Sequence, residues 1–224
     1  MDETGKRTEC ERCGTCCCKG GPTLHEADLA LVEQGVIALD QLFTLRKGEI
    51  VENQIQGERM FLDEELVKVK GTGGKWTCVF FREEDTSCSI YGNRPQECRA
   101  FKCWDTAELE ALYEKDRVTR QDLYTRAGWE LDLAAEHERR CSLVRLRELG
   151  VALVKARKAG EDRTAIQNEL LEMVRYDEAL RDLTSDRAGL SRESLDCLFG
   201  RPLVDVAVGF GLHFQRIGGV FKLL

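Results

Sequence analysis

Cys10-Glu11-Arg12-Cys13-Gly14-Thr15-Cys16-Cys17-Cys18 sets five cysteines within nine residues. Cysteines spaced in this way suit one ion, because a CxxC loop can turn both sulfurs toward a common centre, about 2.3 Å from each when the ion is zinc. Two such units overlap here, Cys10/Cys13 and Cys13/Cys16. Further along, Cys78, Cys88, Cys98 and Cys103 form a second group that can fold back onto the first. Without Cys18 the two groups supply eight thiolates. That number serves two four-sulfur zinc sites, one iron–sulfur cubane plus a zinc, or a mixed site with shared thiolates.

A disulfide framework is the competing reading, and the chain lacks the features of that class. Asp2, Glu3, Thr4, Gly5 and Lys6 follow Met1 where a secretory leader would be apolar. A chain of 224 residues with 42% hydrophobic content can build a core without covalent staples. Eleven cysteines also leave one without a mate. The expectation is a reducing, cytoplasmic setting in which thiols stay available for metal. Two cluster loops are excluded by spacing. A bacterial ferredoxin loop needs a cysteine where Gly20 stands. The CxxxCxxC triplet of radical enzymes that cleave S-adenosylmethionine does not occur. A cubane here would recruit a distant fourth ligand from the second group, and adjacent Cys16 and Cys17 would strain to chelate one ion together.

These residues resemble the CxxCxxCC proteins, also called YkgJ family cysteine cluster proteins, which are zinc- or iron-chelating domains. The likeness rests on CERCGTCC from Cys10 to Cys17, on CSIYGNRPQECRAFKC from Cys88 to Cys103, and on Cys78 in WTCVFF. Together the motifs span residues 10 to 103. Carried over position by position, the resemblance implies Cys10, Cys13, Cys16, Cys17, Cys78, Cys88, Cys98 and Cys103 as metal ligands. Cys18 departs from the pattern as a third consecutive cysteine. Flagellin lysine N-methylases carry a similar cluster, so the resemblance also admits an enzymatic relative.

Along the chain, Thr23 and Glu26 read as a capping box opening a helix from Leu24 to Gln34, ended by Gly35. Leu66 to Val69 and Trp76 to Phe81 flank the glycine-rich turn Gly71 to Gly74 and read as a hairpin, with Trp76, Cys78 and Phe80 on one face. Arg94 before Pro95 is pushed out of helical geometry, so Tyr91 to Pro95 reads as a turn that brings Cys98 and Cys103 toward Cys88. Arg12, Lys19, Arg94, Arg99 and Lys102 lie near the candidate ligands, where positive charge would offset thiolate charge. From Asp105 the composition turns helical, with a capping box at Asp105 and Glu108 and stripes at Leu143, Leu146, Leu149 and Leu153 and at Leu170, Val174 and Leu180. Ser191 to Phe199 reads as one more short helix, and the apolar end from Leu203 to Leu224 should dock on the helical part. Cys141 and Cys197 read as buried core thiols, His137 in EHERR as lying on a solvated face, and His25 as a weak candidate ligand.

The fold class expected is α+β, mainly helical. A cysteine-rich metal-binding module with a short β-hairpin, residues 1–104, precedes a helical region, 105–224, packed on it. A metal-ion-binding protein that chelates zinc or iron through eight thiolates is the first functional reading. It is favoured by the lack of a phosphate loop, a nucleophile elbow or an HExxH helix. An iron–sulfur enzyme related to flagellin lysine N-methylases, or a redox protein, is the alternative. A zinc-ribbon nucleic-acid binder fits poorly, since the net charge is -7 and Arg139, Arg140, Arg145 and Arg147 interleave with acids. Metal ions are the partners this reading names, with no membrane span, because charged residues interrupt the apolar carboxyl end.

Overall fold

The computed structural model describes residues 13–15, 20–53, 55–73, 76–124 and 128–224. The chain is α+β and mainly helical, with short antiparallel strand pairs, and it divides into two compact units. One is Met1–Phe43 with Leu66–Leu123; the other is Thr44–Glu65 with Tyr124–Leu224.

The first unit holds the cysteines of both groups. Its backbone is woven around Leu24, whose N–H donates to Val67 O and whose carbonyl accepts from the Val118 N–H, both at 2.9 Å. Leu24 is therefore extended, and the expected Thr23 capping box does not form. Two backbone bonds to distant chain outweigh a local cap worth about 1 kcal/mol. A 3-10 turn at Glu26–Asp28 leads instead into helix α1, Leu29–Glu33. The carboxylate of Asp28 accepts from the His25 N–H at 3.1 Å and takes the role expected of Glu26 and Thr23.

Strand β1, Leu42–Leu45, pairs with β4, Leu66–Val69. The hairpin at the glycine-rich turn is shorter than expected: β5, Gly71–Thr72, faces β6, Thr77–Cys78, with Gly71 opposite Cys78. Trp76 belongs to the turn at φ 56°, and its ring is exposed while Cys78 and Phe80 are buried. Strand alternation cannot continue through a left-handed residue, so the three side chains do not share a face. A second small hairpin joins β7, Phe81–Arg82, to β8, Ser87–Cys88. Arg94 is extended at φ -63° and ψ 140°, as its place before Pro95 demands. Beyond Pro95 come α2, Gln96–Ala100, α3, Ala107–Leu112, and α4, Arg120–Leu123. At the start of α3 the Asp105 carboxylate accepts from the Ala107 N–H at 3.1 Å.

The second unit begins with a hairpin of β2, Ile50–Asn53, and β3, Glu58–Phe61. Helix α5 spans Gly128–Arg140. Helix α6, Leu143–Ala159, is opened by Ser142, whose hydroxyl accepts from the Arg145 N–H, and ends at Gly160 in the left-handed region. Helix α7 is Thr164–Ala188, longer at both ends than its apolar stripe suggests. The expected helix at Ser191 to Phe199 is regular only over α8, Leu195–Phe199. It is followed by α9, Leu203–Gly209, and a hairpin of β9, Phe214–Ile217, and β10, Val220–Leu223. Leu143, Leu146 and Leu149 meet Leu170, Met173 and Val174 in one core, closed by Leu203, Val206, Ala207 and Leu212. Phe214, Phe221 and Leu223 pack against it, so the carboxyl end docks on the helices as its composition predicts. Among the described residues no helix is long and apolar enough to cross a membrane.

Candidate metal centre

Gly14 lies inside the first cysteine loop and is buried at φ +73°, a conformation that favours glycine. A β-carbon there would stand 2.6 Å from Phe81 Cζ, so the loop rests directly on that ring. Phe81 is the register partner of Cys88 across β7 and β8. The Cys13 loop and the hairpin of Cys88 are thereby in contact. Cys13 is exposed and its thiol donates to Thr15 Oγ1 at 3.3 Å. Cys78 is buried on β6, Cys88 and Cys98 are half-buried, and Cys103 is exposed beyond α2. Cys10, Cys16, Cys17 and Cys18 lie outside the described residues, as do Arg12 and Lys19.

Helix α2, which carries Cys98, is held by a buried polar group that sequence reasoning did not foresee. Glu97 Oε2 accepts from the Thr23 N–H at 2.7 Å, and Oε1 lies 3.5 Å from His25 Nε2. Asp28 Oδ1 accepts from the Gln96 N–H at 2.8 Å. Lys68 Nζ donates to Thr23 Oγ1 at 3.1 Å. Burial alone would raise the Glu97 pKa, yet the His25 bond, the Lys68 charge and the Thr23 N–H hold it below the ordinary value. Asp28 goes the other way, raised by burial against the pull of its hydrogen bonds. Burial lowers Lys68, and the charges of Glu97 and Cys98 oppose that shift.

His25 is not placed as a ligand. Its Nδ1 meets the Lys115 carbonyl at 2.7 Å and its Nε2 faces Glu97, so both ring nitrogens are engaged. Of the basic residues near the cysteines, Arg94 stacks on the Tyr91 ring at 3.8 Å, Arg99 donates to Arg94 O, and Lys102 pairs with Glu108.

In the second unit His137 is fully buried, contrary to the solvated face expected of EHERR. Its ring lies against Phe199, at 5.0 Å between centroids, which draws it inward. His137 Nε2 meets Asp177 Oδ1 at 2.8 Å, and Nδ1 faces Arg46 Nη1 at 3.5 Å. A guanidinium can only donate. The ring is therefore the neutral tautomer that donates from Nε2 to Asp177 and accepts at Nδ1. Among the described residues, His137, Cys141 and Asp177 are the group whose ligand atoms lie within 4.8 Å of one another. They do not suit a cation. Asp177 Oδ1 also accepts from Arg181 Nε at 3.0 Å and Oδ2 from the Leu203 N–H at 2.8 Å, while the Cys141 thiol donates to Met173 O. Burial and the Asp177 charge push the Cys141 thiol up to about 12, and the Arg46 and Arg181 cations stand close by. The cluster is a hydrogen-bonded hub, and its one sequence signal is the pairing of Asp177 and Arg181 one helical turn apart. Cys141 and Cys197 are core thiols as expected, both fully buried.

The sequence pattern of the CxxCxxCC family, described as a "putative zinc- or iron-chelating domain", matches residues 9–121, half of the chain. The chain belongs to the CxxCxxCC family. General metal binding follows from that membership, and the matched span takes in both cysteine groups. No curated protein and no solved structure matches the chain.

Proposed function

We propose that this CxxCxxCC protein chelates zinc or iron through Cys10, Cys13, Cys16, Cys17, Cys78, Cys88, Cys98 and Cys103, without catalysis, in a reducing cytoplasmic compartment. The observation that carries the reading is the seat of Gly14 on Phe81, which sets the first cysteine loop against the hairpin of Cys88. The donor set fits the group: thiolates select soft and borderline metals, and zinc or iron is within their range. Zinc held by four sulfurs has no open position, so such a centre is structural or a store rather than a Lewis acid for substrate.

The test is metal and labile-sulfide analysis, with an absorption spectrum, on protein purified without oxygen. Zinc or iron bound in proportion to protein, and lost when the eight cysteines are replaced by serine, is the expected result. Protein that binds neither metal would refute the proposal. A brown preparation with iron and sulfide would replace it with the iron–sulfur reading, an enzyme related to flagellin lysine N-methylases or a redox protein.

A further inference from the structure

The residues that flank Cys98 are each engaged by groups from the segment that follows the first cysteine run. The Gln96 N–H donates to Asp28 Oδ1 at 2.8 Å, and the Arg99 guanidinium lies 3.8 Å from the same oxygen. Glu97 Oε2 accepts from the Thr23 N–H at 2.7 Å across a sequence separation of 74 residues. Asp28 is fully buried and Glu97 nearly so. Thr23 follows closely on Cys18, and Glu97 directly precedes Cys98. One hydrogen bond thus joins the segment that follows the first cysteine run to the helix that carries Cys98.

Helix α2 has five residues, far below the length at which a helix stands alone in water. Its position comes from these bonds. Two buried carboxylates are costly to desolvate; here Asp28 accepts from the His25 and Gln96 N–H groups, one on each side of the junction, and Glu97 accepts from the Thr23 N–H across it and faces His25 Nε2. The close approach extends to Gly21, where a β-carbon would stand 2.4 Å from the Val69 carbonyl oxygen. Val69 in turn donates its N–H to Pro22 O at 2.9 Å.

We infer that Asp28 and Glu97 are positioning residues that hold helix α2, and Cys98 on it, against the Thr23–Asp28 segment before metal arrives, so that the ion meets Cys98 already in place and does not have to order it. This rests on the reading of Cys98 as a ligand.

The experiment uses the full chain, stripped of metal and titrated with Co²⁺, whose visible d–d bands report the geometry of thiolate coordination. Outer groups that orient metal ligands contribute about 10- to 100-fold in affinity. E97A should weaken Co²⁺ binding by about that factor and alter the bands, while the thermal midpoint of the helical circular-dichroism signal stays in place. E97Q, which keeps the volume and a carbonyl acceptor for the Thr23 N–H, should recover most of the loss. D28N, which sets a donor against the Gln96 or the His25 N–H, should bind Co²⁺ more weakly than the wild type. In the metal-free wild type, the Thr23 and Gln96 amides should be protected from hydrogen exchange. Unprotected amides in the metal-free chain, or E97A and D28N with wild-type affinity and bands, would overturn the inference. Should E97A prove insoluble, D28N against E97Q decides it by the same readout. A wild-type chain that binds no Co²⁺ at all would instead defeat the ligand reading, an outcome visible before any variant is made.

Discussion

Asp177→Asn tests the buried hub of the helical unit. The Asp177 carboxylate accepts from three donors: His137 Nε2 at 2.8 Å, Arg181 Nε at 3.0 Å and the Leu203 N–H at 2.8 Å. Asparagine keeps the volume and one acceptor, but either orientation of its amide turns an NH₂ toward at least one of those N–H groups. Arg181 would retain Asp196 and the Gly200 carbonyl, at 3.2 and 2.7 Å. Its closest counter-charge would be gone. Breaking a buried ion pair from one side costs about 3–5 kcal/mol, a large part of the about 5–15 kcal/mol that a domain possesses. At a urea slope of about 2 kcal/mol/M, the midpoint should fall by about 2 M. The assay is urea unfolding followed by circular dichroism at a helix wavelength. Asp182→Asn is the control, since Asp182 pairs with Arg192 on the exposed face of the same helix. An exposed pair is worth at most about 1 kcal/mol. If D177N loses no more stability than D182N, the hub does not carry the weight argued for it.

The pH dependence of the same unit follows from His137. Burial and the Arg46 charge hold its pKa below 6.5, against the pull of Asp177, with Arg181 adding to the lowering. A depressed histidine contributes stability that is complete above its unfolded value and is lost as pH falls toward the folded one. Stability should therefore decline as pH drops below 6.5, and H137Q should flatten that limb. The difference between wild type and H137Q isolates the effect from His25, whose pKa is raised. Asp177, held at about 2 against an ordinary 3.8, adds a further loss only below 3.8. G14A should weaken metal binding about tenfold or more: a non-glycine residue at φ +73° costs about 1–2 kcal/mol, and its β-carbon meets Phe81. Competition with a chromophoric chelator reads it, and unchanged affinity would mean the loop does not depend on its seat. In metal-free protein, a thiol reagent should label exposed Cys13 and Cys103 first and reach buried Cys141 and Cys197 only on unfolding. Peptide mass spectrometry would show the order, and early labelling of Cys141 would contradict the burial that raises its pKa.

Much of the fold was legible from local signals. Helix α6 follows from Ser142, the leucine stripe and Gly160, because caps and periodicity act within a few residues of each other. The turn at Arg94-Pro95 follows from sterics between neighbours. The helix expected from Thr23 did not begin there, because Leu24 is claimed by Val67 and Val118. The long-range bonds win where a whole backbone segment is buried, since each unpaired buried N–H or carbonyl is costly. His137 was misplaced for a related reason. Its neighbours Glu136, Glu138, Arg139 and Arg140 are charged, but a helix turns through them and presents the one ring between to Phe199 and Asp177.

Cysteine spacing is covalent and local, so CERCGTCCC and the later group announce metal chemistry and family before any fold is known. Periodicity likewise declares the two helices that carry the apolar stripes, α6 and α7. Which segments meet is a different matter. That Thr44–Glu65 belongs with the helices, that Glu97 reaches back to Thr23, and that Gly14 lies on Phe81 depend on contacts between residues far apart in the chain. Such contacts are chosen by the sum of buried area and satisfied polar groups over the whole unit, and no window of sequence contains that sum.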